Sequence, residues 1–500
     1  MDSHKRILPL FLLSWLLGLL SLPGCTMVGP DYTAPVIKTP DAWTGKISQE
    51  VSKGPHASLQ TWWSIFEDPA LDELIERARK NNIDLKIAVS RVRESRAILK
   101  IANGGKMPLA NATGDVQRTK PSEYGILAPI EPLDGTSSYS LFQLGLDASW
   151  EIDVFGRVRR TIEAAGAGYQ ASVEDYRDVM VTLFAEVALA YIDVRTAQQQ
   201  IVITTENAEE QRKSMMLAQD RYETGLNSKL DVAQARANLA ATQAQIPQLQ
   251  ISLTLALNRL AVLLGQDAGS LQAELQEIKP IPKSEKIIDI GVPANVLRQR
   301  PDIRGAERLL AAQTAEIGVA TAALYPRFSL DGSFALQSRS LDNLFNSSSV
   351  TWLLGAPMKW NIFSGGQMRG NIQVQQEKAK QLLLQYEKKV LLAIEEVDNA
   401  IAGYNLNQNR TQRLQEAVSA MTESVDLVLV QYSTGLTDFN NVLVTQRDLL
   451  AQQDQLLASE AHKVVNLVSL YKALGGGWEL GSDKEFLPEQ TKEEMRQQTD

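Results

Sequence analysis

Residues 157–225 read RVRRTIEAAGAGYQASVEDYRDVMVTLFAEVALAYIDVRTAQQQIVITTENAEEQRKSMMLAQDRYETG, and the spacing within them decides the fold. Apolar and small side chains recur every third or fourth position, at Val158, Ile162, Ala165, Tyr169, Val173, Tyr176, Met180, Leu183, Val187, Ala190, Val194, Ala197, Ile201, Thr204 and Ala208, and no proline interrupts them. This is the period of a coiled-coil seam, with one stutter across Ala165, Tyr169 and Val173 that locally unwinds a left-handed supercoil. At about 1.5 Å per residue such a helix extends for roughly 100 Å, far beyond a globular helix. It stops at Arg221-Tyr-Glu-Thr-Gly-Leu226, where Gly225 supplies the backbone freedom of a helix end.

The strut occurs twice. Trp150 and Trp360, Tyr222 and Tyr432, Gly225 and Gly435, Leu226 and Leu436, and Gly265 and Gly475 are each 210 positions apart. Upstream, Asp84 and Asp302, Ala88 and Ala306, Ala97 and Ala315, and Pro108 and Pro326 keep an offset of 218, so one connection between Pro108 and Trp150 is longer than its counterpart. The chain is two copies of one unit. The expected first copy covers 62–265, with a strand pair over 109–153 and a helical hairpin over 157–264. The second covers 297–475, with a strand pair over 327–363 and a hairpin over 367–474. The second strut keeps its seam at Ala379, Leu383, Tyr386, Val390, Ala393, Val397, Ala400 and Tyr404, then Leu414, Val418, Met421, Val425, Val428 and Tyr432. The first return helix carries Ala233, Ala237, Ala240 or Ala241, and Ala244, a stripe suited to close packing, and Pro247 predicts a kink or break in it. The connector 266–296 and the tail 476–500 lack periodicity and are expected to surround the strut middle.

Ahead of each strut the period changes. Asp68-Pro69 reads as a helix N-cap followed by a first-turn proline, with Leu71, Leu74, Ile75 and Ala78 on one face, and a second helix follows from about Ile83 to Asn103. After Pro108 the period becomes two: Ala110, Ala112, Gly114 and Val116 alternate with Asn111, Thr113, Asp115 and Gln117, and Phe142, Leu144, Leu146, Ala148, Trp150 and Ile152 alternate with Gln143, Gly145, Asp147, Ser149, Glu151 and Asp153. In the second copy Phe328, Leu330, Gly332, Phe334 and Leu336 form one apolar row, and Val350, Trp352, Leu354, Ala356, Met358, Trp360 and Ile362 another, read as a single strand. Alternation alone fits an ordinary half-buried sheet equally well. Strands of about ten residues with tryptophans at their ends fit a transmembrane β-barrel, apolar outside and polar within. Four strands cannot close, and lipid does not tolerate an open edge, so several chains are expected to build one barrel.

Lys5 and Arg6 followed by the apolar run Ile7–Leu22 give residues 1–24 the layout of a secretory signal, and 25–61 read as an extended tether. Cys25 is the sole cysteine, which excludes a disulfide framework. The net charge of −9 argues against nucleic acid as a partner. Histidine occurs only at His4, His56 and His462, and the zinc-protease, serine-hydrolase and phosphate-loop signatures are missing, so no catalytic, metal or cofactor residues are assigned and an enzyme is not expected.

Leu22-Pro-Gly-Cys25 resembles the bacterial lipobox, which implies acylation of Cys25. The alternative is a plain signal peptide cleaved nearby. Thr26, in place of an inner-membrane retention aspartate, points to outer-membrane sorting. Beyond it, Trp62-Trp-Ser-Ile-Phe-Glu-Asp-Pro-Ala-Leu71, Val292-Pro-Ala-Asn-Val-Leu-Arg-Gln-Arg-Pro-Asp-Ile303, Glu307, Ile317-Gly318, Tyr325-Pro326 and the two Tyr-x-x-Gly tips resemble the outer-membrane factor family, the TolC-like channels of tripartite pumps, in its lipidated NodT-type branch. That resemblance implies an α+β membrane protein, a homotrimer whose chains each give four strands to a twelve-stranded β-barrel continued by a twelve-helix periplasmic α-barrel. It also implies a passive exit duct for small molecules, docked at Tyr222, Gly225, Leu226, Tyr432, Gly435 and Leu436 onto a periplasmic adaptor that joins an inner-membrane RND-type transporter. The family narrows its tunnel near the second tip with an apolar residue and an aspartate one turn later. Asn440 and Val444 stand there in this chain, leaving Asp231 and Asp438 as the nearest acidic candidates, which read equally well as helix N-terminal carboxylates. Type I protein secretion and metal efflux use similar ducts. A periplasmic adaptor or a structural coiled-coil lipoprotein would lack the duplicated strand pairs.

Overall fold

The computed structural model describes residues 27–36, 40, 42–44, 59–120, 138–283 and 297–478. The signal segment, Cys25, the connector beyond 283 and the tail from 479 lie outside the described residues. A 3₁₀ segment, Leu59–Phe66, precedes helices α1 (Pro69–Asn81) and α2 (Ile83–Gly104), strands β1 (Leu109–Thr119) and β2 (Tyr139–Ile152), and helices α3 (Arg157–Glu223) and α4 (Lys229–Leu263). The second copy follows as α5 (Pro301–Ala322), β3 (Arg327–Ser338), β4 (Val350–Gly355), β5 (Met358–Lys359), α6 (Gln367–Thr434) and α7 (Phe439–Ala473). Equivalent helices match in length: α2 and α5 have 22 residues each, and α4 and α7 have 35 each. The chain divides into two compact units, residues 1–35, 93–170 and 307–384 in one, and 36–92, 171–306 and 385–500 in the other.

The first unit holds an antiparallel sheet in the order β1-β2-β3-β4, with β5 also on β3. The register aligns Ala112, Leu146, Phe334 and Trp352 in one row across the strands and Asn111, Asp147 and Ser333 in the adjacent row. One face is therefore apolar and the other mainly polar across β1 to β3, as a side-chain period of two requires, with Leu353 of β4 beside Ser333 as an apolar exception. Polar-face neighbours hydrogen-bond across strands: Asn111 Nδ2 donates to Asp147 at 2.9 Å, and Ser149 Oγ donates to Asp331 at 2.6 Å. On the apolar face Leu146, Phe334 and Trp352 are exposed, Trp352 by 73%. The strand-end tryptophans repeat one anchor, Trp150 Nε1 donating to Lys106 O and Trp360 Nε1 to Leu324 O, both at 3.0 Å.

The last strand is shorter than its alternation predicts. β4 ends at Gly355, β5 covers two residues, and Trp360, Ile362 and Phe363 lie beyond it. Pro357 has no N–H to offer β3. Its carbonyl still accepts from Ser329 N at 3.1 Å, and the Arg327–Lys359 pairing continues the β4 register, so the proline interrupts the ladder without shifting it.

In the second unit the core is built around Trp62, fully buried, stacked on Tyr471 at 5.4 Å and edge-on to Trp63. Leu71, Leu74 and Ile75 of α1, Leu183 to Val194 of α3, Leu257 to Leu263 of α4, Val397 to Tyr404 of α6 and Leu457 to Ala473 of α7 close over it. Leu271, Leu275 and Ile281 of the connector join the same cluster. Asp68 caps α1 as its pattern predicts, accepting from Ala70 N at 3.0 Å, while Tyr191 Oη donates to its other oxygen at 2.6 Å. Arg300, from the Val292–Ile303 signature, is buried: its guanidinium forks onto Asp302, reaches Glu396 at 2.7 Å and donates to the Ala473 carbonyl at 2.8 Å, tying α5, α6 and the end of α7 together.

Of the kink or break expected at Pro247, the break is absent: α4 continues through the proline at the loss of one internal hydrogen bond. Ala233, Ala237, Ala240, Ala241 and Ala244 are exposed in the single chain, within which α4 packs through Ala235, Asn238, Leu239 and Thr242. Alanine suits an exposed helix face as well as a close contact, and the stripe does not distinguish them.

Candidate functional site

The two hairpin ends, α3 to α4 and α6 to α7, fold by one local rule. Gly225 (φ 74°) and Gly435 (φ 81°) adopt the left-handed conformation. Their N–H groups donate to Tyr222 O and Tyr432 O, and the next residues, Leu226 and Leu436, donate to Arg221 O and Gln431 O, both at 2.8 Å. That pair of bonds is a Schellman closure, which satisfies carbonyls the helix end leaves open. The same closure recurs at Gly265 and Gly475, where α4 and α7 end.

The equivalent tip tyrosines have diverged. Tyr222 is 40% exposed, whereas Tyr432 is 2% exposed within a cluster of Ala218, Ala235, Val428, Phe439, Val442 and Leu443 drawn from both hairpins. Tyr432 packs against Phe439 with ring centroids 5.1 Å apart, beneath the Arg221 guanidinium, also 5.1 Å from its ring. Its phenolic oxygen accepts from Asn227 Nδ2 at 2.7 Å, and its hydroxyl donates to Asp231 at 3.4 Å. Asn227 also donates to Ala218 O at 3.0 Å, and Arg221 donates to Ser433 O at 2.6 Å. The first hairpin is thus latched to the second by polar bonds around a buried ring. Burial pushes the Tyr432 phenol above its usual range, so it stays protonated in working conditions.

The structure brings Tyr432, Gly435 and Asp231 together and leaves the other sequence candidates apart. Asp231 sits in the first turn of α4, accepting from Ser228 Oγ at 3.2 Å, and Asp438 caps α7 by accepting from Asn441 N at 3.2 Å. Asn440, Val444, Leu226 and Leu436 are exposed, Leu436 by 80%. Arg221, Asn227 and Phe439 complete the latch; Arg221 opens the tip sequence, but none of the three carries an expected role there. Arg221 in the last helical turn and Phe439 directly after the N-cap were the available signals.

A membrane-type sheet joined to duplicated strut-length hairpins that end in matched glycine closures defines a channel of the outer membrane rather than a soluble coiled coil. The chain belongs to the outer membrane efflux protein family, whose sequence profile matches residues 74–266 and 292–476. It is 31% identical over 482 residues to the solvent efflux pump outer membrane protein SrpC of Pseudomonas putida, covering 96% of this chain and 99% of SrpC. Among solved structures it is similar to the outer-membrane channel OprN, at 34% identity and a TM-score of 0.82 over 90% of this chain and 99% of OprN. It is also similar to the outer membrane channel MtrE of Neisseria gonorrhoeae in its open state, at 26% identity and a TM-score of 0.77 over 90% of this chain and 98% of MtrE. The fold is that of the TolC-like outer-membrane channels, and the protein is an outer-membrane efflux channel extending into the periplasm.

Proposed function

We propose that this chain forms, as a homotrimer, the exit duct of a three-component pump, and that small apolar solutes of the kind in SrpC's name are among its cargo. The observation that carries the reading is the sheet: β1 and β4 are its edges, its apolar face is exposed, and one chain supplies too few strands to close in lipid. The repeats 62–265 and 297–475 then each contribute one strand pair and one hairpin to the wall. The exposed tip residues Tyr222, Leu226 and Leu436 are contact points for a periplasmic adaptor linked to an RND-type inner-membrane transporter, while Gly225 and Gly435 shape the turns. Cys25 carries a lipid anchor.

The tips open and close, as the open state of MtrE suggests for a similar chain. Closure rests on the Tyr432–Asn227–Asp231 latch, and Asn440 and Val444 narrow the entrance with uncharged side chains. The native mass of the detergent-extracted complex tests the assembly. Three copies are expected, and a stable, detergent-free monomer would end the proposal.

A further inference from the structure

Between the large core and the tip cluster, the contact of α3 and α4 with α7 buries a run of polar side chains beside Ala208, Leu239 and Leu450. Thr204, Asn207, Gln211 and Ser214 on α3, Asn238 and Thr242 on α4, and Gln446 on α7 are all buried, where a coiled-coil seam ordinarily places apolar side chains. Asn207 Nδ2 donates to Gln453 Oε1 at 2.7 Å, Gln446 Nε2 donates to Ser214 Oγ at 2.8 Å, and Arg447 Nε donates to Asn238 Oδ1 at 2.7 Å. Apolar packing resumes on both sides, toward Val194 and Leu457 in one direction and Ala218 and Leu443 in the other.

The spacing within this seam is unusual. Asn207 and Ser214 are seven residues apart, as are their partners Gln446 and Gln453, so the two bonds define one antiparallel register. A second pair on α3, Thr204 and Gln211, has the same spacing and lies three residues earlier. Gln211 is 3% exposed, and neither polar atom of its amide has a hydrogen-bond partner among the described residues. A buried amide is costly without a hydrogen-bond partner, and a second register that supplies one offsets that cost.

We propose that this polar seam is a two-register ratchet. Moving α7 past α3 by three residues, about 4.5 Å along α3 and roughly 60° around it, brings Gln446 to Gln211 and Gln453 to Thr204 in place of Ser214 and Asn207. Both registers keep a hydrogen-bonded ladder of the same spacing, so the seam has two discrete settings rather than a continuum. The described structure is the register in which the tip latch is closed, and the alternative accompanies release of Tyr432. This step rests on the reading that the tips open.

Cysteine pairs in the full-length trimer separate the settings, with the native sole cysteine, Cys25, left in place. The pair Asn207→Cys with Gln453→Cys reports the observed register, and Gln211→Cys with Gln446→Cys reports the other. In the trimer alone, the first pair is expected to oxidise at least tenfold faster. In a Tyr432→Phe background, which loosens the latch, the second pair is expected to gain at least tenfold. Failure of the Gln211/Gln446 pair to cross-link in both backgrounds, or equal cross-linking of both pairs throughout, overturns the ratchet. In planar bilayers, the Gln211/Gln446 lock is expected to pass at least tenfold more current than the Asn207/Gln453 lock. A cross-linking switch without this current difference leaves two registers but removes their link to tip opening, so the ratchet and the exit-duct reading fail separately.

Discussion

Asp178 of α3 offers a direct test of how the second unit handles buried charge. It lines a cavity of about 200 Å³ together with Thr182, Arg300, Asp302, Glu396 and Lys472. Burial, followed by the neighbouring Asp302 carboxylate, raises its carboxyl to about 6 from an ordinary 3.8, against the opposing pull of Lys389 and Arg300. A carboxyl whose pKa is raised on folding binds its proton more tightly in the native state. Its contribution is therefore nil below about pH 4, becomes increasingly destabilising as pH rises toward 6, and is constant above that. Two pKa units correspond to at most about 3 kcal/mol per chain at neutral pH. Asp178→Asn removes the charge and keeps the shape. For a chain of this length the unfolding entropy converts 3 kcal/mol into roughly 3 °C of melting temperature. The assay is thermal unfolding of the detergent-solubilised full-length protein and the variant at pH 4 and pH 7.5. The variant should melt higher at pH 7.5 and level with the parent at pH 4. A gain of equal size at both pH values would refute the reasoning, because a packing effect does not titrate.

Three further outcomes follow from particular contacts. Tyr432→Phe removes the acceptor for Asn227 and the donor to Asp231, so it should cost about 1 kcal/mol and raise single-channel conductance in planar bilayers. Arg300→Lys cannot reproduce the fork onto Asp302 while also reaching Glu396 and the Ala473 carbonyl, and it should destabilise by about 3 kcal/mol, read as a lower melting temperature and reduced recovery of assembled protein. Cys25→Ser should abolish labelling by radioactive palmitate, and normal labelling would withdraw the anchor assignment.

The duplication was legible because turn chemistry and long apolar periods are local properties. Gly225 and Gly435 announce the same helix end, and the alternation from Phe142 to Ile152 announces a strand whatever it packs against. The proline at 357 was equally visible, but its effect on β4 depended on a hydrogen bond owed to β3. Polar residues that become buried were the blind spot. Asn207, Gln211 and Ser214 resemble a solvated helix face, and only the arrival of α7 puts them inside. Arg160 is a second case. It reads as a surface arginine but is 1% exposed, donating to Val28 O and Gly29 O and bonding Asp31 and Glu163. Gly318, whose added Cβ would lie 2.8 Å from the Arg160 side chain, leaves room for it. Nothing in the spacing of residues 27–31 foretells that docking, since its partners lie more than a hundred positions away.

The two copies show how duplication and function part company. Length and turn geometry are shared, since these follow from seam period and glycine placement, which the copies inherited together. Packing is not shared. Within the single chain, from Val181 to Val194 α3 buries residues on nearly every side, whereas α6 buries one stripe through Tyr386, Val390, Ala393, Val397, Ala400 and Tyr404 and leaves Leu391, Leu392 and Leu406 uncovered by its own chain. A helix surrounded on all sides pays for any displacement with several interfaces at once, while a helix held by one stripe can turn about it. The tip follows the same division: Tyr222, on the surrounded strut, is exposed, and Tyr432, on the strut held by one stripe, is the ring that the first hairpin grips. The latch therefore belongs at the end of α6, where a few hydrogen bonds on Tyr432 can decide the position of a hairpin that its own core contacts hold least firmly.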